Sequence, residues 1–181
     1  MSAKRGAAPF ELLLDIDTRS RHHSSGFPHA QDNRREWVGI GFEVNGAQLL
    51  APMTEVAEVV LPPKVAPVPG VKPWVLGIAN MRGNLLPIMD LHGFLYGGNQ
   101  AEERNQRVLV VSYAAVTAGL LVDAVMGLKH FWMEEETDEL PRIDPELGPF
   151  VYSAYQRSNE HFAVFNVAKL IQSELFLDIA M

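Results

Sequence analysis

Cysteine is absent from the 181-residue chain, which excludes disulfides, thiol nucleophiles and cysteine metal sites and fits a reducing cytoplasm. There is no lysine/arginine run, and the formal net charge is -7, so binding to a nucleic acid backbone or an anionic lipid surface is disfavoured. No apolar run approaches the length needed to cross a bilayer. The first residues carry only Lys4 and Arg5 before a short apolar stretch broken by Glu11, Asp15 and Asp17, which is not the pattern of a signal peptide. No G-x-S-x-G, H-E-x-x-H or phosphate-loop motif occurs, and Gly39 with Gly41 makes only G-x-G inside a strand-like segment. No repeat of fixed period is present. What remains is a chain that is 48% hydrophobic, enough for the core of one domain of ordinary size.

Residues 1–35 read as an extension. Pro9 to about Arg21 has helical spacing, with Phe10, Leu13 and Leu14 forming a narrow apolar stripe, and the polar stretch His22 to Arg35 reads as a linker. From Glu36 the period changes to two. Val38, Ile40, Phe42 and Val44 share one strand face, Asn45-Gly46 signals a hairpin, and Ala47, Leu49 and Ala51 return on the same face. A third strand is expected over Thr54 to Leu61, with Val56, Glu58 and Val60 on one side. Lys64 to Trp74, rich in proline, is an irregular connection. Asp90 to Tyr96 allows a helical turn, followed by a charged loop over Gly97 to Gln106. Later strands are expected at Arg107 to Tyr113, Gly119 to Leu128, Phe150 to Tyr155 and Glu160 to Phe165. A terminal helix capped by Asn166 should run to about Phe176, with Val167, Leu170, Ile171 and Leu175 on its apolar face. Short strands, many turns and few helices point to an all-β domain over residues 36–175, in two small barrels with a boundary near Gly97.

The most informative segment runs from Val75 to Leu91. It is almost wholly apolar yet carries Asn80, Arg82 and Asp90. Gly83-Asn84 reads as a two-residue turn between the halves Gly77 to Arg82 and Leu85 to Leu91, which would set Asn80 opposite Pro87. Proline cannot donate to a ladder, so the pairing should end, bulge or lie on an edge there. Arg82 needs a partner or an exposed edge. Glu58, a carboxylate on another apolar strand, is the candidate, because a guanidinium offers two parallel donors; the alternative is that each stands alone on an exposed edge. Val59, Val60 and Leu61 cannot all face one core, so at least one forms a contact patch or enters a second core. His22, His23 and His29 form either a metal cluster or, far more simply, part of a solvated linker. His92, His130 and His161 are scattered, and the Glu134–Glu136 run reads as a solvated loop. No metal, cofactor or catalytic group is expected.

These residues resemble the CheW-like adaptors of bacterial chemosensory systems. The resemblance is carried by GIANMRG at Gly77–Gly83 and LPIMDL at Leu86–Leu91, with weaker support from Glu55–Val60, Gly119–Val125 and Ala163–Leu170. The extension Phe10–Asp17 and the strand Trp37–Phe42 are similar to the type IV pilus (twitching motility) branch of that family. The resemblance implies two five-stranded SH3-like β-barrels and no catalysis. It implies coupling of a methyl-accepting chemoreceptor to a CheA-type histidine kinase, with the receptor's helical tip in a groove between the barrels. Carried over, Gly77, Ile78, Asn80, Arg82 and Glu58 are receptor-binding positions, and Val59 and Leu61 are kinase-binding positions. A flagellar chemotaxis adaptor, a free-standing SH3-like peptide-binding module and an enzyme using the histidines or the acidic loop are the competing readings.

Overall fold

The computed structural model describes residues 34–98, 104–158 and 160–181. The chain divides into two units, Met1–Asn33 and Arg34–Met181, and the account below concerns the second. The helix expected over Pro9–Arg21, and His22, His23 and His29, lie outside the described residues.

Eleven strands and three short helices follow one another: β1 (Glu36–Val44), β2 (Ala47–Pro52), β3 (Val56–Val60), β4 (Val75–Met81), β5 (Asn84–Asp90), α1 (Leu91–Tyr96), β6 (Arg107–Tyr113), β7 (Val116–Val122), β8 (Ala124–Trp132), β9 (Glu136–Thr137), β10 (Val151–Arg157), β11 (Glu160–Phe165), α2 (Val167–Gln172) and α3 (Glu174–Leu177). They form a six-stranded sheet in the order β8-β1-β2-β11-β10-β9 and a five-stranded sheet in the order β3-β6-β7-β5-β4. The mainly β fold expected from the sequence is the fold observed, with sheets of six and five strands where two five-stranded barrels were expected. The chain does not divide at Gly97, however. β1 and β2 belong with β8 to β11, and β3 to β7 are built between them.

Three apolar clusters explain why so many strands lack a polar face. Val108 and Val110 join Ala79, Leu86, Ile88 and Leu121 inside the five-stranded sheet. Their neighbours Leu109 and Val111 point the other way and meet Phe42, Leu49, Phe165 and Leu170 in the largest cluster, which fills the space between the sheets. In β11, Phe162 and Val164 pack with Leu50, Phe131 and Tyr155 inside the six-stranded sheet, whereas Ala163 and Phe165 face the shared cluster. In β6 and β11 alternation is therefore apolar on both sides, because these strands are covered on both sides. Burying one such leucine or phenylalanine contributes about 2 kcal/mol.

Local signals explain the turns. Asn45 (φ 52°) and Gly46 (φ 76°) form the positive-φ pair of a type I′ hairpin, with Val44 opposite Ala47. Asp90 caps α1, its carboxylate accepting from the Gly93 N–H at 3.0 Å.

Four expectations are corrected. The strand predicted over Gly119–Leu128 is two strands in different sheets. At Asp123 the chain crosses over, its N–H donating to Glu43 O and its carboxylate accepting from the Asn45 N–H at 2.7 Å. β3 carries a bulge between Val56 and Glu58, so Val56 enters the shared cluster while Val60 packs inside the five-stranded sheet. The terminal helix is broken at Ser173, whose extended backbone (φ -69°, ψ 134°) restarts it as α3; Phe176 is thereby buried and Leu175 turned outward. The acidic loop is not merely solvated, since Glu135 holds Arg157 through two hydrogen bonds and Leu147 is fully buried.

Candidate docking surfaces

The β4–β5 hairpin turns at Arg82-Gly83, not at Gly83-Asn84. Arg82 (φ 53°) and Gly83 (φ 90°) are the central pair, with Met81 opposite Asn84, Asn80 opposite Leu85 and Ile78 opposite Pro87. The Asn80 side chain stabilises this turn, its Oδ1 accepting from the Gly83 N–H at 2.9 Å. Pro87 is tolerated because Ile78 turns its backbone groups away. The Ile78 N–H donates to Ala66 O at 2.9 Å, and Ala66 N–H returns a bond of 2.8 Å to Ile78 O.

That bridge fixes the role of Gly77. Its φ is +134°, and a Cβ added there would meet Ala66 O at 2.2 Å. Gly77 is buried, so it acts by letting the connection 64–66 lie against β4 and not by offering a surface.

On the hairpin's outer face Ile78 and Leu85 are 37% and 74% exposed, while Ala79, Leu86 and Ile88 fill the sheet's interior. With Lys64, Val65, Ala66 and Asn80 they line a shallow groove of about 330 Å³. The groove lies on the five-stranded sheet alone. The resemblance places the receptor groove between the barrels, whose shared interior is filled by the largest apolar cluster. A separate opening, lined by Trp74, Phe94, Leu95, Phe150 and Leu175 among others, contains none of the expected site residues.

Arg82 and Glu58 do pair. One guanidinium nitrogen stands 2.9 Å from Glu58 Oε2, with the Arg82 side chain 82% exposed and that of Glu58 28%. Glu58 is on β3 and Arg82 directly follows β4, the two outermost strands of the five-stranded sheet, so the ion pair bridges its two edges. β3 also presents Val59 (37% exposed), and Leu61 (69% exposed) follows its end, immediately before Pro62-Pro63. The expected residues thus separate into a groove pair (Ile78, Asn80), an ion pair at the hairpin tip (Arg82, Glu58), a buried spacer (Gly77) and an apolar edge (Val59, Leu61). Lys64, Val65 and Leu85 were missed. Strand alternation alone would have found Leu85, since it shares the outer face with Asn80.

Other polar groups serve the fold. His92 is buried with Nδ1 2.9 Å from Gly98 O, His130 meets Glu36, and His161 meets Glu139 O. Burial pushes the Asp90 carboxyl up, offset in part by the Gly93 N–H. Burial also raises Glu55, while a hydrogen bond from the Val167 backbone lowers it. Among the described residues no group of three or more His, Asp or Glu side chains could hold a metal ion. Among those residues, no helix is long and apolar enough to cross a membrane.

Residues 38–175 match the CheW-like domain. The chain belongs to the CheW-like family. It is 44% identical to Protein PilI of Pseudomonas aeruginosa over 173 residues, covering 96% of this chain and 97% of that protein. It is 25% identical to Chemotaxis protein CheW of Helicobacter pylori over 164 residues, 90% of this chain and 97% of the relative. The scaffolding protein TtCheW of Thermoanaerobacter tengcongensis has the same fold, with a TM-score of 0.67 at 20% identity, covering 77% of this chain and 95% of that one. The CheW-like domain of this chain is thus preceded by an extension, and the match to PilI spans too much of the chain to leave that extension out.

Proposed function

We propose that this CheW-like protein is the non-catalytic coupling member of a cytoplasmic chemosensory complex that controls type IV pilus twitching motility. It holds the helical tip of a methyl-accepting chemoreceptor on the outer face of β4–β5, through Ile78, Asn80 and Arg82. It holds the regulatory domain of a CheA-type histidine kinase along β3, through Val59 and Leu61. Coupling works by geometry: two partners are fixed on one rigid sheet, and no bond is made or broken.

The likeness to PilI carries this reading, because it spans nearly the full length of both chains, extension included. The surface chemistry supports it. Exposed apolar anchors beside a few polar groups suit a docked helix. A free-standing SH3-like module that adds an extended peptide to β4 is disfavoured, since the outward backbone groups of Ile78 are already bonded to Ala66. The open edge of β3 faces no such cover among the described strands, which pair it only with β6.

The test is reconstitution from the full chain, a receptor cytoplasmic tip fragment and a CheA-type kinase from the same cell. A ternary complex at micromolar concentrations with altered kinase autophosphorylation is expected. Failure of the chain to bind either partner would refute the coupling role. Loss of swimming with intact twitching on deletion of the gene would transfer the protein to a flagellar system.

A further inference from the structure

We infer that the groove beside β4 recognises a carboxylate on the docked receptor helix, read by Lys64 and Asn80, with an apolar side chain of the same helix seated on Ile78 and Leu85. This rests on the receptor reading above and adds the chemistry of the contact and two residues, Lys64 and Leu85, to it.

The groove offers two side-chain donors, Lys64 and Asn80, and no carboxylate. Asn80 Oδ1 accepts from the Gly83 N–H, while its amide NH2 makes no hydrogen bond among the described residues. Lys64 lines the same groove, is exposed, and has no carboxylate partner among the described residues. Glu58, on the opposite edge of the sheet, is paired with Arg82 at 2.9 Å. The backbone N–H groups of Ala66 and Ile78 are bonded to each other's carbonyls, so the side chains of Lys64 and Asn80 are the donors left to the groove. An exposed lysine in this groove, on a chain of net charge -7, favours an anion there. One lysine is too little for a phosphate backbone, whereas a single acidic side chain matches it. On a helix, a residue three or four positions away lies on the same face, which brings an apolar neighbour onto Leu85 while the carboxylate meets Lys64. Leu85, at 74% exposure, is otherwise an uncovered leucine.

The experiment measures affinity of the full chain for the receptor tip fragment, with the kinase regulatory domain as a parallel ligand. Lys64→Glu should weaken receptor binding about tenfold and flatten its salt dependence, because an exposed charge at a contact acts through screened attraction. Leu85→Ala should weaken it about fivefold with no change in salt dependence. Both sites are exposed, so both variants fold, and neither changes kinase-domain affinity. Reversing the tip's acidic residues one at a time to lysine should reveal one that restores binding to Lys64→Glu. Wild-type receptor affinity in both variants, or rescue by no reversal, with binding still abolished by Ile78→Asp, overturns this inference and leaves the receptor reading intact. If the unaltered chain binds no receptor tip, that reading fails and this one with it.

Discussion

Replacing Arg82 with asparagine separates conformational cost from recognition. Arg82 sits at φ 53°, in the left-handed region. For a residue other than glycine, asparagine or aspartate that conformation costs roughly 1–2 kcal/mol, and Asn-Gly is the preferred pair for this turn type. Against that stands the loss of the ion pair to Glu58. With Arg82 82% exposed, solvent screening limits the pair to about 0.2–1 kcal/mol. The balance for Arg82→Asn is therefore neutral to about 2 kcal/mol more stable, a rise in Tm of no more than about 8 °C. Urea titration followed by tryptophan fluorescence reads this directly, with an unchanged m-value as the check that the denatured state is unaffected. A cycle with Glu58→Gln should give a coupling of about 0.5 kcal/mol. Receptor-tip affinity should fall in the same variant. Destabilisation beyond about 2 kcal/mol would make Arg82 a structural residue, contradicting the estimate, and unaltered receptor affinity would remove it from the docking surface.

Gly77→Ala should destabilise the fold by about 3 kcal/mol or more, since the new methyl collides with Ala66 O in a backbone conformation foreign to alanine; a wild-type urea midpoint would disprove the spacer role. Val59→Asp and Leu61→Asp should abolish binding of the kinase regulatory domain while the far-UV spectrum and melting temperature stay put, and collapse of the fold in Val59→Asp would instead make that side chain core. The Arg157 guanidinium holds the Glu135 carboxyl down to about 2, from an ordinary value of 4.5. Because the folded state depresses this acid, its stabilisation is fully present above pH 4.5 and disappears as pH falls toward 2. Arg157→Gln should consequently be less stable than wild type near neutrality, with the two curves converging across that interval; a constant gap between them would exclude the pair as the cause.

The sequence disclosed most where a backbone constraint met a specific residue type. Asn45-Gly46 admits one turn, and the alternation on either side of it follows. The same reasoning misplaced the second hairpin by one residue, because Arg82-Gly83 and Gly83-Asn84 both contain a glycine and arginine is a poor choice for positive φ. Tertiary pairing overrode that preference: Asn80 stabilises the tighter turn, and Pro87 fits opposite an Ile78 whose backbone serves Ala66. The bulge in β3 carries no glycine to announce it, so Val56 and Val60 could not be assigned to different cores. Nor could the crossing at Asp123 be read, since β7 and β8 are both strand-like and only long-range hydrogen bonds to Glu43 and Asn45 part them. The Glu58–Arg82 partnership was legible because two charges in apolar strands have few alternatives. Lys64 and Leu85 escaped notice because a charged residue in a proline-rich connection and a leucine in an apolar strand are individually ordinary.

The parallel pairing of β2 with β11 joins a strand made near the beginning of the domain to one made near its end. All five strands of the other sheet are synthesised in between. During translation the inserted sheet can therefore assemble on a ribosome that has yet to deliver β11, while β1 and β2 wait with an apolar flank uncovered. The docking face of β4–β5 belongs to the part that is completed first. A nascent chain thus has its partner-facing half shaped before its scaffold is closed, and truncation between β7 and β8 would leave that half attached to a hairpin with nothing to pair with.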